Sequence, residues 1–339
     1  MNLQRYDFYL NNLIYLEKSC NFAISAMRKF ALHTLLYLLV ALIVYPLSMG
    51  LLSYTPFKAK AGYIPANYGH LHSRLHDVAH FRHIDLLFLG SSHCYRTFDT
   101  RLYQAAGYSA FNFGSSNQTP LQTLVLLKDY VDSLQPRRVF FEVHPDILAN
   151  GGVESGLDLV SNAPFTPALA EMIATLRSFK VLNSAFASLA HGNSIPHADS
   201  VVSVYTTVNG EQVMADFRYV PGGFVQMPPY SYQPQSQCPH TIKINPLQVD
   251  ALRRCIRLLD EKHIAVTLIE VPASRNLYHS YTNHREFEQQ MSLLGSYINL
   301  NDSSALTSQL VDTIHYFDED HLNQKGVEVV NSYIKECIL

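Results

Sequence analysis

Two serines follow directly after an apolar run in the segment DLLFLGSSHCYRTFD, which covers residues 85–99. Ser91 and Ser92 come just after the glycine that ends this run, at the point where a buried strand would stop. A serine in such a turn can present its hydroxyl as a nucleophile if a base lies within hydrogen-bond reach. The segment therefore offers two candidate nucleophiles, and the residues around it do not by themselves distinguish them.

A candidate base lies near the other end of the chain, in the segment YFDEDHLNQKG. Asp318 and His321 are three residues apart, so in a turn their side chains can face the same side. The imidazole could then take the serine proton while Asp318 holds its other nitrogen. Asp320 is an alternative partner, but a side chain adjacent to His321 is expected to point away, which favours Asp318.

Tight turns at two places are candidates for the backbone N–H donors of an oxyanion hole. One turn follows Gly90, and the other covers residues 114–117 in the segment NFGSSN. A third apolar run ends in EVHPD, where His144 and Asp146 are candidates for lining the same site, as is Ser91 in the first turn. Each of these three segments follows a predicted strand. The fold would therefore have to bring the ends of these strands together.

The elements that must position these residues alternate between strands and helices from residue 83 onward. Apolar runs predict strands at residues 84–90, 108–114, 137–143, 264–271 and 296–302. Amphipathic patterns predict helices at residues 120–134, 246–263 and 323–338. This alternation predicts a three-layer α/β/α sandwich with a mostly parallel, flavodoxin-like sheet. Ligands bind at the carboxyl ends of the strands in such sheets, where the candidate residues lie.

Residues 151–244 break this alternation and are expected to form an insertion over the mouth of the site, within one α/β domain covering residues 83–339. A helical stretch is predicted around residues 166–189, and a hairpin is predicted with Asn209 and Gly210 as its turn. Aromatic side chains of the insertion could stack on sugar rings, although packing within the insertion is the favoured interpretation; they are Tyr219, Phe224, Tyr230 and Tyr232.

An uncharged apolar run at residues 30–57 predicts a transmembrane anchor. About 20 apolar residues suffice to span a bilayer, and the run is too long and begins too late for a signal peptide. Residues 1–29 would form a cytoplasmic tail and residues 58–82 a connector. Arg28 and Lys29 directly precede the run, which favours an inside N-terminus and an extracytoplasmic domain on the cytoplasmic membrane.

Composition and charge exclude several other classes of function. The 339 residues carry a formal net charge of −3 and no basic cluster, which argues against a nucleic-acid partner. Five cysteines without a CxxC pair predict neither a disulfide scaffold nor a cysteine zinc site, although one disulfide among the last four is compatible with the spacing. Neither a cofactor nor a metal is predicted.

Four histidines in and directly after the connector, with spacings of four, four and three residues, would share one face of a helix; they are His72, His76, His80 and His83. Such spacing can bind zinc. No cysteine or glutamate completes a site, so a polar stripe on a helix beside the membrane is the favoured interpretation.

Taken together, these segments resemble the SGNH (GDSL-like) serine hydrolases and acyltransferases. The first block of that family, Gly-Asp-Ser, resembles Gly90-Ser91-Ser92 and implies that Ser92 is the nucleophile, with Ser91 in the position of the aspartate. The second block, Asn-x-Gly-x-Ser-Gly, resembles residues 112–117 and implies oxyanion donors at Gly114 and Asn117 besides the N–H of Ser92. The Asp-x-x-His block resembles residues 318–321 and implies that Asp318 and His321 complete the triad.

The third block departs from the family pattern. The family has Gly-x-Asn-Asp after the third strand, and the asparagine side chain donates to the oxyanion. This chain has EVHPDIL there, so His144 or Asp146 lies near the position of that donor. The resemblance covers residues 83–150 and 245–339, and the anchor with Gly-Ser-Ser is most similar to the cell-envelope branch. That branch includes the D-alanyl transfer protein of teichoic acid synthesis and the alginate O-acetylation proteins.

The resemblance implies a membrane-anchored esterase or O-acyltransferase. Its expected substrates are acyl esters, acetyl esters above all, of a cell-envelope polysaccharide, and a multi-spanning membrane acyltransferase is an expected partner. An alternative function follows from the missing asparagine: an inactive module of the same fold that binds an envelope polymer or such an acyltransferase.

Overall fold

Five parallel strands form the central sheet of the computed structural model, which describes residues 3–66, 69–192, 206–208, 211–214, 216–228, 230 and 232–339. Their order is β2-β1-β3-β8-β9, and their bounds are β1 Leu86–Leu89, β2 Ala110–Asn112, β3 Arg138–Glu142, β8 Ala265–Glu270 and β9 Tyr297–Asn299. This is the flavodoxin-like order 2-1-3-4-5. The predicted α/β fold with a mostly parallel sheet is therefore confirmed.

Both faces of the sheet are buried, which explains why its strands are continuous apolar runs. Leu87 of β1 and Phe141 of β3 belong to a core cluster on one face, whereas Phe88 and Phe140 belong to a cluster on the other. The register aligns Phe88 of β1 with Asn112 of β2 and with Phe140 of β3. The carboxyl ends of these three strands consequently lie side by side.

Helices cover the two faces of the sheet and also form much of the rest of the chain. The described α-helices are α1 Leu3–Ser53, α2 Leu71–Asp77, α3 Ser92–Thr97, α4 Thr100–Gln104, α5 Pro120–Leu134, α6 Pro145–Ala149, α7 Val153–Asn162, α8 Pro167–Leu176, α9 Phe179–Ala190, α10 Pro246–Glu261, α11 Arg275–Tyr278, α12 His284–Ser292, α13 Ser304–Thr307, α14 Asp312–His315 and α15 Gln324–Cys337. Leu252 of α10 packs into the first core cluster, and Val330 of α15 packs into the second.

The insertion contains α7, α8, α9 and a small antiparallel sheet. Its four strands follow one another as β4 Thr206–Val208, β5 Glu211–Met214, β6 Phe217–Tyr219 and β7 Val225–Gln226. The predicted hairpin is present, because Val208 pairs with Glu211; its turn residues Asn209 and Gly210 lie outside the described residues. The helical stretch predicted around residues 166–189 is two helices, separated at Arg177 by a left-handed backbone conformation.

Aromatic residues of the insertion serve mainly to pack it, as favoured from the sequence. Tyr219 and Phe224 are buried, Tyr232 is partly buried, and Tyr230 is exposed. The insertion also contacts the sheet, since the backbone N–H of Asn112 at the end of β2 donates to the carbonyl of Gly222 over 2.8 Å. The insertion is thus fixed against the strand edge that carries the candidate site.

The predicted anchor lies within a longer helix. α1 is continuous over 51 residues, so it includes the predicted tail as well as most of the apolar run at residues 30–57. Pro46 lies inside α1. Within the described part of the chain, α1 is the one helix long and apolar enough to cross a membrane. Its apolar side chains between Phe30 and Leu51 are mostly exposed, as expected of a surface that lipid would cover.

Neither the histidine stripe nor the cysteines form the arrangements considered from the sequence. α2 ends at Asp77, so the four histidines do not share one helix; His72 is buried, whereas His80 and His83 are exposed. All five cysteines are free thiols, and Cys94 and Cys255 are buried.

Candidate active site

Ser92 lies at the junction between β1 and α3. Gly90 adopts a φ of 144°, and a Cβ atom there would lie 2.4 Å from Glu142 Oε2, so only glycine fits this turn. Ser91 then caps α3, because its Oγ accepts a hydrogen bond from the backbone N–H of His93. Ser92 is therefore the first residue of the helix, with its side chain at the carboxyl end of the sheet.

The side chains of Ser92, His321 and Asp318 form one chain of hydrogen bonds. Ser92 Oγ lies 2.9 Å from His321 Nε2. His321 Nδ1 lies 2.9 Å from each carboxylate oxygen of Asp318. The imidazole thus has a serine hydroxyl on one nitrogen and a carboxylate on the other, which is the arrangement of a nucleophile, a base and an orienting acid.

The turn that carries the base holds its own acid in place. The backbone N–H groups of Asp320 and His321 both donate to Asp318 Oδ1, at 3.2 Å and 2.8 Å. Asn323 caps α15 directly after this turn, and its side-chain amide donates to the carbonyl of Ile314 over 2.7 Å. The orientation of His321 is therefore determined by local hydrogen bonds as well as by the sheet.

Asp320 also contacts His321, contrary to the expectation that it points away. Its Oδ1 lies 2.7 Å from His321 Nδ1, and its Oδ2 lies 3.0 Å from His93 Nε2. The sharp turn brings both carboxylates to Nδ1 of the imidazole, so the spacing in the sequence could not show which of them is the partner of His321. Asp320 contacts both His93 and His321, whereas Asp318 contacts only His321 among the described histidines.

His93, Ser91 and Glu142 form a buried network behind the nucleophile. Glu142 Oε2 accepts from the backbone N–H of Ser91 over 2.7 Å and from Ser91 Oγ over 2.8 Å. Ser91 Oγ in turn lies 2.8 Å from His93 Nδ1. Ser91 is fully buried, so the expectation that it lines the site is wrong, and its hydroxyl is already engaged in holding the turn.

The network favours a charged His93. Both ring nitrogens face acceptors, because the Ser91 hydroxyl proton points to Glu142 and Asp320 accepts at the other side. Burial opposes the charged form, but the negative charges of Asp320 and Glu142 outweigh it and raise the pKa of His93. Burial raises the pKa of Glu142, although His93 and Ser91 oppose this shift.

His144 caps α6 and stacks against His93. Its Nδ1 accepts the backbone N–H of Asp146 over 3.3 Å, so in the neutral ring the proton is on Nε2. The rings of His144 and His93 are parallel, with centroids 3.9 Å apart, and the ring of His321 also stacks with that of His93, at 4.9 Å. Burial, with the charge of His93 beside it, holds the pKa of His144 well below its usual value, so the ring is neutral.

The three backbone donors expected for an oxyanion hole differ in availability. The N–H groups of Ser92 and Asn117 have no acceptor in the part of the chain that the structure describes. Asn117 has a φ of 50°, a left-handed conformation that sets the direction of its peptide N–H. The N–H of Gly114 instead donates to Asn112 Oδ1 over 3.1 Å. Gly114 is therefore not a free donor, and the expectation for it is wrong.

These groups surround a cavity of about 370 Å³ at the carboxyl end of the sheet. Ile147 is the one aliphatic side chain among its described lining residues, and the rest are polar or aromatic. Among the lining side chains are Ser92, Asn117, His144, Asp146, Asp320 and His321. The insertion reaches this site, since the ring of Phe317 beside Asp318 packs against Phe217 and Tyr230.

One group of described residues has the composition of a metal site, namely His93, Asp320 and His321. Their ligand atoms lie within 4.8 Å of one another. His321 already bonds Ser92 and Asp318, and His93 already bonds Ser91 and Asp320. These side chains satisfy one another by hydrogen bonds, so the arrangement is accounted for by serine chemistry.

The roles of His93 and Glu142 were not predicted from the sequence. Glu142 was visible as a lone acid at the end of an apolar run, RRVFFEV, where a fully buried carboxylate needs partners. His93 directly follows the two serines, but its acidic neighbours come from β3 and from the turn before α15. The pairing of β1 with β3 and the packing of the turn before α15 against α3 place these three segments together.

Comparisons with known proteins give distant similarities. No protein-family model matches the chain. No curated protein matches it. The chain is similar in structure to a Bacteroides fragilis NCTC 9343 protein described as a "putative acylhydrolase", with a TM-score of 0.35 and 13% identity over 80% of this chain and 97% of that chain. It is also similar to a GDSL-like lipase of Bacteroides thetaiotaomicron VPI-5482, with a TM-score of 0.37 and 10% identity over 80% and 98% of the two chains. The residues of this chain must carry any conclusion about its function.

Proposed function

We propose that this protein is a membrane-anchored serine esterase or O-acyltransferase that forms an acyl-enzyme at Ser92. The observation that carries the proposal is the chain of hydrogen bonds from Ser92 Oγ through His321 to Asp318, with 2.9 Å at each step. A serine hydroxyl in this arrangement can lose its proton to the imidazole as it attacks. The motifs that resemble SGNH enzymes lead to the same three residues.

The reaction proceeds in two displacements. Ser92 Oγ attacks the ester carbonyl while its proton passes to His321 Nε2, and the carbonyl oxygen becomes an oxyanion. Collapse of this intermediate breaks the bond to the leaving alkoxide, which takes the proton from His321. Water or a sugar hydroxyl then attacks the acyl-serine, with His321 again as the base, and Ser92 is restored. Asp318 stabilises the imidazolium that forms in each step.

His144 would supply the third oxyanion donor in place of the asparagine of the SGNH family. The ring is neutral, its Nδ1 is occupied by the backbone N–H of Asp146, and its Nε2 has no partner among the described residues. His144 also lines the same cavity as Ser92 and Asn117. Preorganised donors of this kind stabilise charge as it develops. The proposed hole therefore consists of the N–H groups of Ser92 and Asn117 and the Nε2–H of His144.

His93 and Asp320 act as positioning residues in this proposal. His93 stacks with both His144 and His321, with interplanar angles of 5° and 8°. Asp320 bonds His93 and contacts His321 Nδ1, so it ties the base to the stack. Rotation of the His321 ring would break these contacts, and the stack therefore holds its Nε2 toward Ser92.

The chemistry of the cavity supports an ester with a small acyl group on a hydroxyl-rich acceptor. A long fatty acyl chain needs an apolar wall, but Ile147 is the one aliphatic side chain among the described lining residues. Arg96 and Glu154 add charged groups to the lining. We therefore propose acetyl esters of an envelope polysaccharide as the substrate class, with the apolar part of α1 anchoring the domain outside the cytoplasmic membrane. A multi-spanning acyltransferase is the proposed partner where the acyl group is transferred.

The test is hydrolysis of p-nitrophenyl acetate by the full chain in detergent. Ser92→Ala is expected to reduce the rate to that of buffer, because the nucleophile is removed. Ser308→Ala is the matched control, because this exposed serine bonds only within its own helical turn and should keep the wild-type rate. Equal rates for Ser92→Ala and the wild type would overturn the proposal. A folded wild-type protein without any turnover would favour the alternative of an inactive binding module.

A further inference from the structure

An apolar groove lies between α8 and α9, on the part of the insertion that contacts α1. The groove has a volume of about 400 Å³ and is lined mainly by apolar side chains; they include Phe165, Ile173, Phe179, Leu182, Phe186 and Leu189. Phe179 is 77% exposed and Leu189 is 44% exposed. Large apolar side chains that cluster at such exposure mark an interaction surface.

α9 is fixed in position by the domain and by α1 on two other sides. Val181 and Ala185 are buried in the main core cluster. Tyr45 of α1 donates a hydrogen bond to Asn183, and its ring lies 6.1 Å from that of Phe186. Gly50 of α1 lies so close to α9 that a Cβ atom there would be 3.0 Å from Ala190 Cβ. The exposed side of the groove therefore faces away from the domain core and from α1.

α1 and α9 run in the same direction, so the residues that pair between them show where α9 lies along the axis of α1. Tyr45 pairs with Asn183, and Tyr54 pairs with Ala190 and His191. Phe179 lies four residues before Asn183, so at 1.5 Å per residue it is about 6 Å further toward the N-terminus of α1. A span of about 20 residues that begins at Phe30 ends near Gly50. α9 therefore lies beside the C-terminal half of that span.

Basic residues flank the groove, and acidic residues are scarce around it. Arg177 and Lys180 are exposed at the turn between α8 and α9, and Lys58 and Lys60 are exposed just after α1. No Asp or Glu occurs between Lys18 and His76. Glu171, the one acid of α8 and α9, is paired with Lys128 and Arg254. Exposed aromatic and basic side chains without neighbouring acids are typical of a surface that contacts lipid.

We propose that the groove between α8 and α9 is a second membrane contact, which enters the outer leaflet beside α1 and holds lipid acyl chains. This inference rests on the anchoring by α1 in the proposed function. The groove continues onto α1, because a second depression is lined by Pro46, Leu47 and Leu51 of α1 together with Phe186 and Leu189 of α9. Two attachments would fix the domain relative to the bilayer instead of leaving it to rotate on one helix.

The chain contains no tryptophan, so a single introduced tryptophan reports its own surroundings. Phe179→Trp is placed in the full chain, reconstituted in vesicles of phosphatidylethanolamine and phosphatidylglycerol with or without bromine on the acyl chains. The emission of Phe179→Trp should shift to the blue, and bromine should quench it. Leu293→Trp, at a site that is 86% exposed directly after α12, is the matched control and should show neither effect.

A third variant separates this inference from the anchoring. Leu36→Trp lies within the apolar run and should be quenched if α1 spans the bilayer. Quenching of Leu36→Trp without quenching of Phe179→Trp would overturn the second contact and leave the anchor intact. Absence of quenching at both positions would contradict the anchoring itself. Phe165→Trp, at the other end of the groove, repeats the measurement if Phe179→Trp does not fold.

Discussion

Replacement of His144 is the sharpest way to examine the proposed oxyanion hole. Phenylalanine keeps the flat ring that stacks on His93 at 3.9 Å, but it has neither the Nε2–H donor nor the Nδ1 acceptor. Asparagine loses the stack but restores a side-chain donor, and it is a preferred residue at the start of a helix such as α6. The pair therefore separates the loss of a hydrogen-bond donor from the loss of packing.

The expected magnitude follows from the contacts that each variant loses. Loss of one oxyanion donor costs about 10²–10³ in kcat, or roughly 3–4 kcal/mol of transition-state stabilisation. Loss of the helix cap costs about 1 kcal/mol of folding stability, which does not reduce kcat. We therefore expect His144→Phe to lose about 10²–10³ in kcat with little change in KM. His144→Asn should recover part of this loss.

The assay is steady-state hydrolysis of p-nitrophenyl acetate, with the folded fraction checked by circular dichroism. Burial keeps the pKa of His144 below its usual value, so the wild-type ring is neutral and the donor is present at neutral pH. A wild-type kcat for His144→Phe would refute the role of this ring as a donor. Loss of kcat in His144→Asn together with a wild-type kcat in His144→Phe would show that the stack with His93 matters instead.

Three further predictions concern the residues around the triad. Asp318→Asn should lower kcat by about 10³–10⁴, whereas Asp320→Asn should lower it less because His321 keeps both contacts with Asp318; the kcat values of the two variants decide this, and the reverse order would contradict it. Glu142→Ala leaves the N–H and hydroxyl of Ser91 without their acceptor, at about 1–3 kcal/mol for each buried donor. It should therefore lower the free energy of unfolding by about 2–6 kcal/mol in urea titrations, while Glu142→Gln keeps an oxygen acceptor and loses less. His93 has a raised pKa, so its ion pairs contribute fully below the unfolded pKa near 6.5 and are lost as the pH rises through the raised value. The stability lost in His93→Gln should thus be larger at acidic than at alkaline pH, and a loss independent of pH would argue against a charged His93.

The local pattern predicted the sheet well because each strand is a separate apolar run. The run LLFL forms β1 with every residue buried, and the helix predicted at residues 120–134 is α5 with the same bounds. The capping box of Thr119 and Gln122, with Pro120 at the first helical position, explains why this helix begins there. Signals that lie within one segment are sufficient for such elements.

Features that depend on contacts between distant segments could not be predicted from local sequence patterns. Glu142 meets Ser91 only because β1 and β3 are neighbours, and His93 meets Asp320 only because the turn before α15 packs on α3. The motif spacing indicated that Gly114 could be a donor, but the side chain of Asn112 folds back onto its N–H. Similarly, the spacing of the acids could not predict the turn that brings Asp320 to His321.

Labelling by a fluorophosphonate tests the central claim most directly, because this probe reacts only with an activated serine hydroxyl. After treatment of the full chain, mass spectrometry of its peptides should locate one modification at Ser92. Ser92→Ala should not be labelled, and His321→Ala should be labelled much more slowly, since it lacks the base 2.9 Å from the hydroxyl. Modification of Ser91 or Ser116 instead, or no labelling of a folded protein, would contradict the assignment of Ser92 as the nucleophile.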